Sequence, residues 1–215
     1  MNDFWSFGGN TCHATLWFRK DLQHQLKLTN THLGFKYVRC HGILNDDMEV
    51  VLADGSFSFK RIIGSIQAIL DLGMKPFIEL SSMPASLASN EKGLTAYGFR
   101  SAPPNDWDRW QSMIHEMTLA LKDAFGLEAM REWYFEVWNE PDIGFWSGTQ
   151  QEYFKLYDLS AQAVKSVDAE LKFGGPATAR TNWIDEFLEH ISKDSPDYTL
   201  AARRCDFIRY SCLSE

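Results

Sequence analysis

The sequence predicts an α/β fold, a (β/α)8 TIM barrel that is incomplete. Three observations carry that prediction. Strand-like and helix-like segments alternate along the chain, which implies a parallel sheet with crossover helices. No strand is followed by GxGxxG or GxxxxGK[ST], so neither a dinucleotide-binding sheet nor a nucleoside triphosphatase is expected. The chain has 215 residues, where a complete barrel takes roughly 250, so about six of eight strand–helix units fit. One domain, residues 1–215, is expected to hold the first six strands.

The elements follow in order. A first strand is expected around Trp5-Ser6-Phe7-Gly8. Arg19 to Leu33 reads as a helix with Leu22, Leu26 and Leu33 among polar residues, stopped by Gly34. Phe35 to His41 reads as a strand. Ser58 to Leu72 carries Ile62, Ile63, Ile66, Ile69 and Leu70 at helical spacing, ended by Gly73. Lys75 to Leu80 is a short strand with proline near its start, where it is tolerated. Asp106 is placed to cap a helix containing Trp110, Met113, Ile114, Met117, Leu121 and Phe125, closed by Gly126. Trp133 to Trp138 is the strongest strand signal. A helix from Gln150 to Val167 follows, then a strand at Leu171-Lys172-Phe173. Asn182 is the expected cap of a helix from Trp183 to Ile191, and Cys205 to Tyr210 is the last strand.

Composition excludes several classes of partner. Twenty-one basic residues against 29 acidic ones leave a net charge of −8, which disfavours nucleic acid and anionic membrane surfaces. No apolar run approaches the roughly 18 residues that cross a bilayer. The N-terminus has neither a basic nor an apolar signal region, so the cytoplasm is the expected location. Cys12, Cys40, Cys205 and Cys212 form no CxxC pair and no zinc spacing, and read as free thiols. No cofactor or metal is called for; the pair Asp46-Asp47 reads as a surface turn. The 14% aromatic content suits a large core and also a pocket for sugar rings.

The segment that carries chemistry is Trp138-Asn139-Glu140-Pro141-Asp142, at the C-terminal end of the fourth strand. That end is the active-site face of a barrel. Pro141 is expected to hold Glu140 extended, pointing into a mouth flanked by Trp138, Phe145 and Trp146. A carboxyl group against aromatic surface loses hydration, which raises its pKa and suits it to general-acid work. Asn139 offers an amide donor beside the scissile bond.

The chain resembles glycoside hydrolase family 39, the β-xylosidases and α-L-iduronidases. The resemblance runs along nearly all of it, through Leu33-Gly34-Phe35-Lys36-Tyr37-Val38-Arg39 with His41-Gly42, Asp46-Asp47-Met48, Trp133 to Asp142, Tyr153-Phe154-Lys155-Leu156-Tyr157 and Gly174-Gly175-Pro176-Ala177. It implies a retaining hydrolase of β-xylosidic bonds in xylo-oligosaccharides. Glu140 matches the general acid/base, Asn139 the residue that hydrogen-bonds the sugar 2-hydroxyl, His41 a sugar-binding histidine and Phe145 an aromatic wall. Trp138 is counted with the substrate-binding residues, and His13 lies in a loop the family places near the site. The resemblance also implies a nucleophilic glutamate on a seventh strand, some 5 Å from the acid.

No seventh strand is legible before Glu215, and Ser211 and Leu213 stand where family members carry histidine and tyrosine. The chain therefore reads as a truncated member, inactive alone, with open sheet edges and an uncovered apolar interior that favour aggregation. A non-catalytic sugar-binding protein and a non-functional gene fragment are the alternatives, and an oligomer stays open. Of the remaining residues, Arg39 and Glu136 alternate into the interior and are expected to pair. Glu79 is a candidate for the pocket lining. His24, His32, His115 and His190 fall on helices as solvated or capping groups.

Overall fold

The structure, a computed structural model, describes residues 6–93, 98–192 and 205–210, apart from the side chains of Cys12, Arg209 and Tyr210. Six parallel strands form one curved sheet in sequential order: β1 (Gly8–His13), β2 (Tyr37–His41), β3 (Lys75–Leu80), β4 (Tyr134–Val137), β5 (Lys172–Thr178) and β6 (Phe207–Tyr210). Between them run α1 (Lys20–Leu33), α2 (Lys60–Leu70), α3 (Trp107–Phe125), the one-turn α4 (Leu127–Met130), α5 (Gln150–Val167) and α6 (Ile184–His190). This is the first part of a (β/α)8 barrel. No helix among the described residues is long and apolar enough to cross a membrane.

The helices form where their apolar spacing predicts. In α2 the residues Ile62, Ile66 and Ile69 are fully buried against the sheet, each contributing about 1.5–3 kcal/mol of transfer free energy. Asp106 caps α3 by accepting the Arg109 N–H at 2.9 Å. The Trp110 indole N–H on α3 donates to Ser160 Oγ on α5 at 2.9 Å and ties the two outer helices together.

The interior is layered, because alternate side chains of each strand point inward. Near the strand starts lies an aromatic layer. Tyr134 stacks on Phe77 with centroids 5.4 Å apart and meets Tyr37 and Phe207 edge-on, each at 5.2 Å. One pleat further toward the strand ends lie Arg39, Glu79 and Glu136. The apolar interior expected from the sequence is therefore apolar only at its base; above that it is charged.

Other expectations also shift. The first strand, expected around Trp5-Ser6-Phe7-Gly8, runs from Gly8 to His13, and Trp5 lies outside the described residues. Gly8 is required there, since a Cβ would sit 2.5 Å from the Tyr37 carbonyl oxygen. The fifth strand, expected at Leu171-Lys172-Phe173, runs on through Gly174-Gly175-Pro176 to Thr178. Trp183, at φ 64° and with no side-chain cap, precedes α6 in place of the capping Asn182. Cys40 is free and buried, which pushes its thiol up, and Cys205 is free and partly buried. The Cys12 side chain, Cys212, and the readings made on Ser211, Leu213 and Glu215 lie outside the described residues.

Candidate active site

The charged layer forms one connected network at the C-terminal strand ends. Glu79 and Glu136 sit side by side in register on β3 and β4, and neither has exposed surface. Arg39 lies between them, with Nη2 2.6 Å from Glu79 Oε2 and 2.6 Å from Glu136 Oε2. Its Nε also donates to Glu136 at 2.7 Å. Ser81 Oγ donates to Glu79 Oε1. Burial pushes the Glu79 carboxyl up, but Arg39, His41 and Ser81 outweigh it and hold the group below the usual carboxylate range.

Arg39 also aims the next residue. Its Nη2 donates to Asn139 Oδ1 at 3.2 Å. A guanidinium has no acceptor, so the oxygen of Asn139 must face it, which reserves the amide nitrogen as a donor to some other group. His41, at the end of β2, has a side chain 21% exposed and its Nδ1 2.7 Å from Glu79 Oε2. Beneath the following turn His13 is buried, with Nε2 2.6 Å from Asp47 Oδ2. Asp46 accepts from the Ala85 N–H at 2.8 Å and from Arg100 at 3.2 Å. The acidic pair therefore serves to fasten loops.

Glu140 is half-buried at the mouth, and it is not extended as expected. Its φ is 48°, and Trp138 has φ 65°. Proline at 141 disfavours the right-handed region, and the Glu140 N–H donates to the Ala177 carbonyl near the end of β5 at 2.8 Å, which the left-handed turn permits. Asp142 clamps the same two loops by accepting from the Ala179 N–H at 2.6 Å and the Arg180 N–H at 3.3 Å. Left-handed non-glycine residues cost on the order of 1–3 kcal/mol and concentrate at functional sites.

The positive φ at Trp138 breaks the strand alternation, and its ring packs edge-on against Phe99 at 5.7 Å and Trp146 at 5.0 Å. Trp138 has no exposed surface. Its indole N–H donates to the Phe145 carbonyl at 2.7 Å, so it supports the loop rather than lining the pocket. Phe145 is partly exposed and meets Phe99 edge-on at 5.5 Å.

The family model for glycosyl hydrolases family 39 matches residues 1–214. This chain belongs to that family. It is 47% identical over 200 residues to a beta-xylosidase of Caldicellulosiruptor saccharolyticus, covering 90% of this chain and 41% of that protein. It is 38% identical over 200 residues to a beta-xylosidase of Geobacillus stearothermophilus, covering 88% and 40%. A solved structure of a monomeric beta-xylosidase from Caulobacter crescentus CB15 superposes with a TM-score of 0.89 at 34% identity, over 98% of this chain and 42% of that one. The family chain described here thus spans about two fifths of the length of these relatives.

Of the residues the sequence singles out, the structure gathers Arg39, His41, Glu79, Glu136 and Asn139 into one network. Glu140 follows directly, with Phe145 in the same loop. Asn10 and Phe99 were not found from sequence. Asn10 lies on the strand whose position was misjudged, and Phe99 reaches the site through a long loop with no local signal.

Proposed function

We propose that this chain supplies the acid/base half of a retaining β-xylosidase acting on xylo-oligosaccharides. The observation that carries the proposal is the Asn139–Glu140 pair after β4, with the Asn139 oxygen held by Arg39. Glu140 donates a proton to the glycosidic oxygen as a second carboxylate attacks the anomeric carbon, which releases the leaving group. Glu140 then takes a proton from water, whose oxygen attacks the glycosyl–enzyme ester and frees the sugar. Asn139 donates to the 2-hydroxyl, His41 binds the ring and Phe145 walls the pocket, while Trp138 carries the loop. Glu79 and Glu136 are buried on Arg39 and cannot serve as nucleophile, so that role is assigned to a glutamate on a seventh strand. Xylosides are favoured as substrate because the two beta-xylosidases named above are similar over about nine tenths of this chain.

The test uses the whole protein. Glu140→Gln should slow hydrolysis of xylobiose far more than that of activated aryl xylosides, because only the poor leaving group needs protonation. Equal losses on both would remove Glu140 as the acid. Xylobiose binding without turnover in the unmutated protein would replace the hydrolase reading with a sugar-binding one.

A further inference from the structure

Glu79 has no place in the double displacement, yet it is fully buried and every hydrogen bond it makes is fixed. Oε1 accepts from Ser81, and Oε2 faces both Arg39 and His41 Nδ1. Arg39 is shared with Glu136, so one guanidinium serves two carboxylates. An ionised carboxylate only accepts. The 2.7 Å contact between Glu79 Oε2 and His41 Nδ1 therefore requires the hydrogen to be on Nδ1. The guanidinium of Arg39 lies farther from that nitrogen, at 3.4 Å, too long to compete for it.

The other ring nitrogen faces Asn10. Asn10 is exposed on β1, and its Nδ2 lies 3.2 Å from His41 Nε2. With Nε2 bare the Asn10 amide nitrogen donates to it. The Glu79 contact fixes the tautomer and the Asn10 contact is compatible with it, from the opposite side of the ring and from a different strand.

We infer that Glu79 is a positioning residue. It holds the Nδ1–H of His41 so that Nε2 is an acceptor, and a sugar hydroxyl takes that acceptor over from the Asn10 amide, so that His41 and Asn10 together read one hydroxyl. The hydroxyl donates to Nε2 and its oxygen accepts from the Asn10 amide. This specifies a group that donates and accepts at once, and a methyl ether or a deoxy carbon cannot replace it. The sugar part rests on the function proposed above; the hold of Glu79 on the ring does not.

The test is long-range 1H–15N correlation NMR of the 15N-labelled whole protein at mildly alkaline pH, with the His41 ring assigned by loss of its signals in His41→Gln. The expected spectrum shows a protonated Nδ1 and a bare Nε2. In Glu79→Gln the amide can face the ring with either its donor or its acceptor, so both tautomers should appear. Affinity for methyl β-D-xyloside should fall about tenfold, the equivalent of one hydrogen bond. Asn10→Ala should weaken the xyloside and leave the tautomer unchanged. A protonated Nε2 in the unmutated chain overturns the proposal, and that spectrum needs no variant to fold. So does a Glu79→Gln variant with tautomer and affinity both unchanged. The expected tautomer, lost in Glu79→Gln, with no shift at His41 or Asn10 on adding xyloside, upholds the hold of Glu79 and refutes the glycoside reading instead.

Discussion

Replacing Arg39 by methionine keeps the unbranched stem and removes the charge. Glu79 and Glu136 would then lie side by side, without exposed surface and without the cation between them. Breaking a buried ion pair on one side costs about 3–5 kcal/mol, a fifth or more of the roughly 5–15 kcal/mol that holds a domain together. With a urea dependence of about 2 kcal/mol per molar, the unfolding midpoint should fall by about 1.5–2.5 M. The pH dependence has a definite sign. In the unmutated chain Glu79 is held below its usual range, so its contribution is present above the unfolded value of about 4.3 and lost as pH falls through the lower folded value. Without Arg39, burial becomes the dominant influence and pushes Glu79 up. The folded variant then binds a proton that the unfolded chain has released, and it gains stability as pH falls. The gap between the two proteins should narrow on acidification from both directions. Urea unfolding followed by near-UV circular dichroism at neutral and mildly acidic pH reads both quantities. A midpoint shift under about 0.5 M, or a gap that does not narrow, would refute the reasoning.

Two further outcomes follow from local geometry. Thr149 and Glu152 form a reciprocal capping box at the start of α5, so Thr149→Ala should cost about 1 kcal/mol in urea unfolding. Gly174→Ala would place a methyl 2.3 Å from the Phe207 carbonyl oxygen; hydrogen exchange at Asp206, whose N–H donates to Phe173 at 2.8 Å, should quicken by the equivalent of about 1–3 kcal/mol, with β2 unaffected.

Legibility from the sequence followed how local each determinant is. The boundaries of α5 and the Asp106 cap of α3 were readable because spacing and capping act within one or two turns. The strand β1, Gly8-Gly9-Asn10-Thr11-Cys12-His13, has little strand propensity of its own and exists because β2 lies beside it. The glycines and proline that extend β5 beyond Phe173 carry no strand signal for the same reason: their close approach to β6 is visible only in three dimensions. At the site, Glu140, Asn139 and His41 were marked by strand ends and an adjacent proline, and the Arg39–Glu136 pair by alternation. The fold-back of Trp138 was not readable, because it depends on a carbonyl from β5 that turns the backbone at Glu140. The donor set around Glu79 joins β2, β3 and the turn after it, and no window of sequence contains all three.

The Arg39 network has a consequence for assembly of the sheet. Parallel strands buried on both faces are apolar almost throughout, so burial alone discriminates poorly between neighbouring alignments. Here Glu79 is opposite Glu136, with Ile78 opposite Phe135 one step before. Sliding β3 by one residue would turn its carboxylate into the helix layer. Sliding it by two would set Glu79 beside Tyr134 or Phe77 beside Glu136, leaving a carboxylate against rings and out of reach of the guanidinium. Each misalignment strands a charge in a dry place, whereas the native one gives both carboxylates the same cation. Arg39 thus acts as a dowel through three planks, and the strand ends that present Asn139 and His41 are flush because it fits in only one alignment.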